Sequence, residues 1–115
     1  MKVLIIEDDR VVNLEFKAQL EKLNIKTSIA NNGVEAYKIL YSTQKRFQFD
    51  CIVVDLGLPD ENGVEIIKFI KTKFTSKIII YTRKNYEDYK DKCEYNYFIQ
   101  KNKNSIQDVI DLIKK

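Results

Sequence analysis

The stretch from Asp50 to Gly63 reads D-C-I-V-V-D-L-G-L-P-D-E-N-G, and the rest of the chain is arranged around it. Cys51 to Val54 is an unbroken apolar run, mostly β-branched and bounded by turn residues, which predicts a parallel strand buried on both faces. The run ends on a carboxylate, Asp55, and passes into a loop holding Gly57, Pro59, Asn62 and Gly63, all residues of turns. Asp55 therefore stands at the carboxyl end of a central strand. In an open α/β sheet ligands bind at that edge, so the layout offers a nucleophile or a metal ligand to a crevice. A loop-initiating Asp is the plainer alternative, and this strand alone does not separate the two.

Outward from it the chain alternates strand and helix. Toward the N-terminus, Lys2 to Ile6 predicts a short apolar strand that empties into Glu7, Asp8 and Asp9. Asp9 suits the N-cap of a helix with Val12, Phe16, Leu20 and Leu23 at helical spacing, a role that leaves Glu7 and Asp8 unexplained. Ile25, Thr27 and Ile29 alternate with polar residues, as in a half-exposed strand at a sheet edge. Asn31, Asn32 and Gly33 then turn the chain into a helix over Val34 to Ser42, with Ala36, Tyr37, Leu40 and Tyr41 on one side.

Toward the C-terminus, Gly63 opens a helix striped by Val64, Ile67, Ile70 and Phe74, and Lys77 to Tyr81 is an apolar strand that stops at Thr82. Lys84 to Cys93 carries only Tyr86, Tyr89 and Cys93 as a stripe and predicts a short helix. Tyr97 to Gln100 predicts a fifth strand ending at Lys101, and Ile106, Val109, Ile110 and Ile113 define a last helix. Strands separated by helices of this length require right-handed crossovers, which gives an α/β fold: a five-stranded parallel sheet, doubly wound, with helices on both faces.

Composition narrows the function. The 115 residues, 44% hydrophobic and 32% charged with three Gly and one Pro, suit one domain over 1–115 without a flexible linker. No apolar run reaches membrane-spanning length and the start is too short for a signal peptide, so a cytoplasmic protein with no membrane contact is expected. The net charge of +3 comes from scattered lysines, which argues against direct nucleic-acid binding. Histidine is absent, which rules out a Ser-His-Asp triad and a His-containing zinc site. Cys51 lies in the buried strand, far in sequence from Cys93, so neither a disulfide nor a zinc cluster is expected. Chemistry falls to carboxylates, hydroxyls and lysine.

The topology gathers them. Successive strand ends supply Glu7 and Asp8, Asp55, Thr82 and Lys101 to one sheet edge. Carboxylates so placed repel one another unless a cation intervenes, and a hard divalent ion such as Mg²⁺ accepts one or two of them and keeps several waters. Asp8 and Asp55 suit that role, with Glu7 acting through water. Asp55 has a second use, as a carboxylate nucleophile that accepts a phosphoryl group; Lys101 would then pair with the new charge and Thr82 donate a hydrogen bond to it.

Five pieces of the chain resemble the receiver domains of two-component response regulators: L-I-I-E-D-D (Leu4 to Asp9), A-N-N-G-V-E-A (Ala30 to Ala36), D-L-G-L-P-D-E-N-G (Asp55 to Gly63), Thr82 after its β-rich run, and F-I-Q-K (Phe98 to Lys101). The resemblance covers essentially the whole chain. It implies the flavodoxin-like strand order 2-1-3-4-5. It also implies that Asp55 takes phosphate from a partner's phosphohistidine, with Mg²⁺ held by Asp8, Asp55 and the Gly57 carbonyl and Glu7 orienting a water of the metal. Thr82 and Phe98 would form a switch pair that alters which downstream partner the surface binds. The donor would be a histidine kinase or phosphotransfer protein, since a chain without histidine is not its own donor. A signalling switch, not a turnover enzyme, is the expectation.

Three departures stand out. Asn102 replaces the usual Pro, which predicts a trans Lys101–Asn102 bond, because a cis bond to a non-proline residue costs about 2.5 to 4 kcal/mol. Arg83 replaces a small residue beside the phosphate, where it would either obstruct small donors or pair with phosphoryl oxygens. Glu94 and Tyr95 replace Gly and Ala, so the face built from the last two helices and fifth strand is atypical. Arg83 and Asn102 motivate one alternative, a phosphorylation-independent pseudo-receiver. A metal-dependent phosphohydrolase is the other, disfavoured by a shallow mouth with no cap insertion.

Overall fold

The computed structural model describes residues 1–115. In chain order the elements are β1 (Lys2–Ile6), α1 (Arg10–Lys22), β2 (Lys26–Ala30), α2 (Gly33–Ser42), a 3₁₀ turn (Lys45–Phe47), β3 (Cys51–Val54), α3 (Gly63–Lys73), β4 (Lys77–Thr82), α4 (Tyr86–Tyr89), β5 (Tyr97–Gln100) and α5 (Ile106–Ile113). All strand pairs are parallel, in the order β2-β1-β3-β4-β5. This is the doubly wound sheet expected from the sequence. No helix is long and apolar enough to cross a membrane.

Strand alternation divides the apolar residues between two cores. Leu4, Ile6, Ile52, Val54, Ile78 and Ile80 face α2 and α3, where Leu40, Ile66, Ile67 and Ile70 meet them. Val3, Ile5, Val53, Ile79 and Tyr81 face α1 and α5, against Phe16, Leu20, Val109, Ile110 and Ile113. Every residue of β3 is buried, as a central parallel strand requires. β2 at the edge keeps Lys26 and Ser28 exposed. Cys51 is sealed in this sheet, and burial pushes its thiol up to about 12. Native alkylation with iodoacetamide is therefore expected to add at most one label, on the half-buried Cys93, and a second only in urea, as intact mass would read.

Helix starts follow local chemistry. The side chains of Asp9, Asn32, Asn62 and Ser105 each accept an amide of the helix they open, and Ser105 completes a capping box with Asp108. α1 ends where Asn24 turns left-handed (φ 60°) and the Ile25 amide returns to the Leu20 carbonyl at 3.0 Å. Some expectations change in detail. Leu23 caps α1 instead of joining its buried stripe, and Tyr41 is 68% exposed, at the rim of α2. The helix sought over Lys84 to Cys93 shrinks to Tyr86–Tyr89, because few apolar side chains pull that segment onto the sheet.

Candidate functional site

β1, β3 and β4 run parallel and in register, so their carboxyl ends lie side by side and deliver Glu7 and Asp8, Asp55, and Thr82 to one edge. β5 adds Lys101, whose amide donates to the Thr82 carbonyl at 2.8 Å. A cavity of about 290 Å³ opens there, lined by Glu7, Asp8, Asp9, Asp55, Gly57, Thr82, Arg83, Lys84 and Lys101. It has no hydrophobic wall. Seven of the eight residues singled out in the sequence converge on it, and Phe98 does not.

Lys101 is the hub. Its Nζ donates to Asp55 Oδ2 at 3.1 Å and to Glu7 Oε1, and it lies over the Tyr81 ring, 5.5 Å from the centroid. These partners hold its pKa above the usual lysine value against the opposing effect of burial. No peptide bond is cis, so the Lys101–Asn102 bond is trans, as Asn102 predicts, and Lys101 still reaches the acids.

Asp55 is 7% exposed, and its Oδ1 accepts the Gly57 amide at 3.0 Å. The Gly57 carbonyl accepts no hydrogen bond. Glu7, 2% exposed, takes the Asp9 amide at 3.0 Å as well as Lys101. Burial is the main force on its titration and pushes it up to about 7, with the nearby Asp55 charge adding to the rise. Asp8 is exposed, and one oxygen each from Glu7, Asp8 and Asp55 lie within 4.8 Å of one another. Three carboxylates against one paired ammonium, all hard oxygen donors with one open to water, are the donor set a small divalent cation such as Mg²⁺ fits.

The loop after Asp55 is pinned. Gly57 and Asn62 form an antiparallel bridge and the Gly63 amide returns to the Leu56 carbonyl at 3.2 Å. A Cβ on Gly63 would lie 2.5 Å from the Asp55 carbonyl oxygen and 2.6 Å from Leu56 Cα. No glycine has a positive φ, so Gly63 contributes close approach of backbone and not an unusual turn. Asp60 anchors the same loop to α2, accepting the Gly33 and Val34 amides at 2.8 and 3.1 Å, and these bonds lower its pKa.

Thr82 is fully buried at the end of β4, and its Oγ1 accepts the Lys84 amide at 3.2 Å. Phe98 lies opposite Ile80, two register positions before Thr82, with its half-buried ring edge-on to Tyr86 and Tyr95 at 5.1 and 5.7 Å. Arg83 is exposed on the cavity rim and makes no ion pair.

Sequence reasoning missed three residues. Asn13, 5% exposed, donates to the Glu7 carbonyl at 2.7 Å and to Asn31 Oδ1 at 3.2 Å, tying β1 to the loop before α2. A polar residue in step with Phe16 and Leu20 on the buried face of α1 is the signal that would have found it. Asp60 and Lys84 carry no such signal, being an acid in a turn and a lysine in a lysine-rich chain.

A doubly wound sheet whose carboxyl edge presents a buried carboxylate among two further acids, a hydroxyl and a lysine is the architecture of a receiver domain. The chain belongs to the response regulator receiver domain family, whose sequence profile matches residues 3–113. Phosphorylation-based signalling is the function of that family, which binds Mg²⁺ in its acidic pocket.

Relatives place this module in longer proteins. A protein of Oryza sativa subsp. indica described as probable histidine kinase 1 is 38% identical over 71 residues, 62% of this chain and 7% of that protein. The probable transcriptional regulator ycf29 of Pyropia yezoensis is 35% identical over 78 residues, 67% of this chain and 33% of the relative. The chain thus spans a third or less of these relatives. The crystal structure of a two-component response regulator from Clostridium difficile shares the fold, with a TM-score of 0.87 at 23% identity, covering 99% of this chain and 93% of that one.

Proposed function

We propose that this chain is a phosphorylatable receiver in which Asp55 is the phosphoacceptor. The observation that carries the reading is the constellation around it: Asp55 at the cavity floor, one oxygen held by Gly57 and the other by Lys101, beside the acids of β1. An oxygen of the Asp55 carboxylate attacks the phosphorus of a partner's phosphohistidine. The P–N bond breaks, its electron pair stays on the imidazole nitrogen, and an acyl phosphate forms on Asp55. Lys101 pairs with the incoming phosphoryl charge, and Thr82, whose Oγ1 accepts the Lys84 amide, has its O–H free to donate to a phosphoryl oxygen. Arg83, unpaired on the rim, meets the donor's phosphoryl group first.

Asp8, Asp55 and the free Gly57 carbonyl would hold Mg²⁺, with Glu7 beside them; the ion supplies neutralising charge for a transferring phosphoryl group. The donor is a histidine kinase or phosphotransfer protein, and the two free thiols favour action in the cytoplasm. Phosphorylation would redirect surface binding through Thr82 and the Phe98 ring packed between Tyr86 and Tyr95. Incubation with acetyl phosphate, followed by intact mass, tests the reading. One phosphoryl adduct that requires Mg²⁺ is expected; no adduct and no Mg²⁺-induced thermal shift would leave a pseudo-receiver.

The Glu7 carboxyl gives this site a pH dependence. Its folded pKa of about 7 exceeds the ordinary 4.5, so the folded metal-free protein holds a proton that the unfolded chain has released. The stability Glu7 contributes is thus present below pH 4.5 and lost as pH rises through about 7. Mg²⁺ competes with that proton, so its affinity is expected to rise about tenfold from pH 6 to pH 8. Calorimetric titration checks this, and Glu7→Gln should flatten the profile.

A further inference from the structure

We propose that the sheet edge opposite Asp55, where strands begin and helices end, docks on the surface of an anionic membrane. This role is separate from phosphoryl transfer and does not rest on Asp55.

Lysines scattered along the sequence meet at this edge. It runs from the last turn of α1, α2 and α3 to the first residue of the next strand, and from the last turn of α5 to Lys115, with Lys2 at the start of β1. It holds ten of the chain's twenty bases and three of its seventeen acids, Glu21, Asp50 and Asp111. The connection from α4 to β5 adds as many acids as bases, so the remainder of the chain is net acidic. Of the three acids, Glu21 is already paired with Lys17 at 3.6 Å.

Helix carboxyl ends favour cations, which is the plain explanation of a basic edge. It accounts for Lys73, whose Nζ donates to the Leu40 and Tyr41 carbonyls at 2.6 and 3.2 Å, and for Lys77, whose Nζ donates to those of Leu112 and Ile113 at 3.0 and 3.5 Å. The ends of α2 and α5 are thereby satisfied. Lys26 begins a strand, and Lys45 and Arg46 lie in the 3₁₀ turn, where no long helix ends. Together with Lys22 and Lys114 these three are exposed, and none of the five makes an ion pair.

Two apolar side chains stand among them, Leu23 at 44% and Phe47 at 57% exposure, the latter with the Arg46 guanidinium 4.8 Å from its ring centroid. Between α1 and α5 a cavity of about 350 Å³ repeats the pairing on the scale of one headgroup, with Lys22 and Lys114 beside Leu23 and Ile110. Phosphate contacts to a nucleic acid need the cations alone. Exposed apolar tips set among cations fit a lipid interface, where the charges meet anionic headgroups and the tips enter between them.

Screening lets the edge act by itself. The Cα atoms span at least 25 Å along every principal axis, whereas charges are screened over about 8 Å at physiological salt. A bilayer therefore meets the basic edge and not the modest net charge of the whole chain. Docked this way, the protein turns the Asp55 edge toward solvent, open to a phosphoryl donor. The expectation of no membrane contact came from the lack of a spanning run, which bears on insertion and not on surface docking.

The test is cosedimentation of the full chain with vesicles of phosphatidylcholine alone, or with about one-third phosphatidylglycerol added. Binding is expected only to the mixed vesicles, and is lost at about 0.5 M salt. Lys45→Gln with Arg46→Gln should weaken partitioning about 25-fold, at about fivefold for each cation near an anionic surface, and Phe47→Ser should weaken it with no change of charge. Lys103→Gln removes a charge from the opposite edge and should change it less than about twofold. Equal binding to both kinds of vesicle, no binding to either, or equal weakening by Lys103→Gln and Lys45→Gln would overturn the proposal. So would binding to a short DNA duplex as tight as to vesicles and indifferent to Phe47→Ser, which would assign the edge to nucleic acid. All the substituted side chains are exposed, so thermal midpoints should match wild type and lost binding reads the surface and not the fold.

Discussion

Asp55→Asn is expected to abolish the phosphoryl adduct completely while the protein stays folded. The amide oxygen can still accept the Gly57 amide, so the loop keeps its anchor. The amide nitrogen would face Lys101 Nζ, donor against donor, and that bond is lost, but Lys101 keeps Glu7. Set against this loss is the relief of repulsion among carboxylates within 4.8 Å of one another. Loss and relief are of similar size, so stability should change by no more than about 1 kcal/mol in urea denaturation. Removing the Asp55 charge also removes one of the forces that raise Glu7, so the Glu7 pKa should fall in the variant. Unfolding of Asp55→Asn would show that the carboxylate is structural; an adduct that survives would place the phosphoacceptor elsewhere.

Gly63→Ala should destabilise the protein and disturb the Asp55 loop together. Its Cβ would meet the Asp55 carbonyl oxygen at 2.5 Å and Leu56 Cα at 2.6 Å, both backbone atoms that no rotamer change can move aside. Either α3 shifts away from β3 or the loop carrying Asp55 and Gly57 moves. Overpacking of this kind costs about 1 to 3 kcal/mol in side-chain cores, and a backbone-to-backbone clash belongs at the upper end. The damage should be twofold: a lower urea midpoint, and phosphorylation slowed well beyond what the stability loss explains, since Asp55 sits on the displaced segment. Gly57→Ala is the contrast, with its nearest contact 3.4 Å away on the end of a lysine. It is expected to fold like wild type, and equal destabilisation by the two variants would overturn the close-packing account of Gly63.

The strand ends were legible because a buried parallel strand needs an unbroken apolar run, and the first polar residue after it marks the sheet edge. That rule places Glu7, Asp55 and Thr82 together; β5 is half-buried and ends on the polar Gln100, so Lys101 follows only from its place just past the last strand. It failed for the segment after Thr82, where Tyr86, Tyr89 and Cys93 form a stripe but only one helical turn results. Such a segment takes its shape from what packs on it and not from its own pattern. Tyr41 misled for a similar reason. Helical spacing puts it near Tyr37, but α2 ends one residue later and the ring stays outside against Phe69 at 4.8 Å.

The sequence by itself determined the number and type of strands, the edge where chemistry gathers, and the family. These depend on periodicity and chain order, which are local quantities. Tertiary structure alone decided how the charges are shared: Lys101 bonded to both Glu7 and Asp55, Glu7 raised to about 7, Asn13 bracing β1, Asp60 tying the loop to α2, and Lys84 lying over Gly57. Each depends on distances between atoms far apart in the chain. Electrostatic coupling and desolvation vary with those distances and with burial, and no spacing along a sequence encodes them.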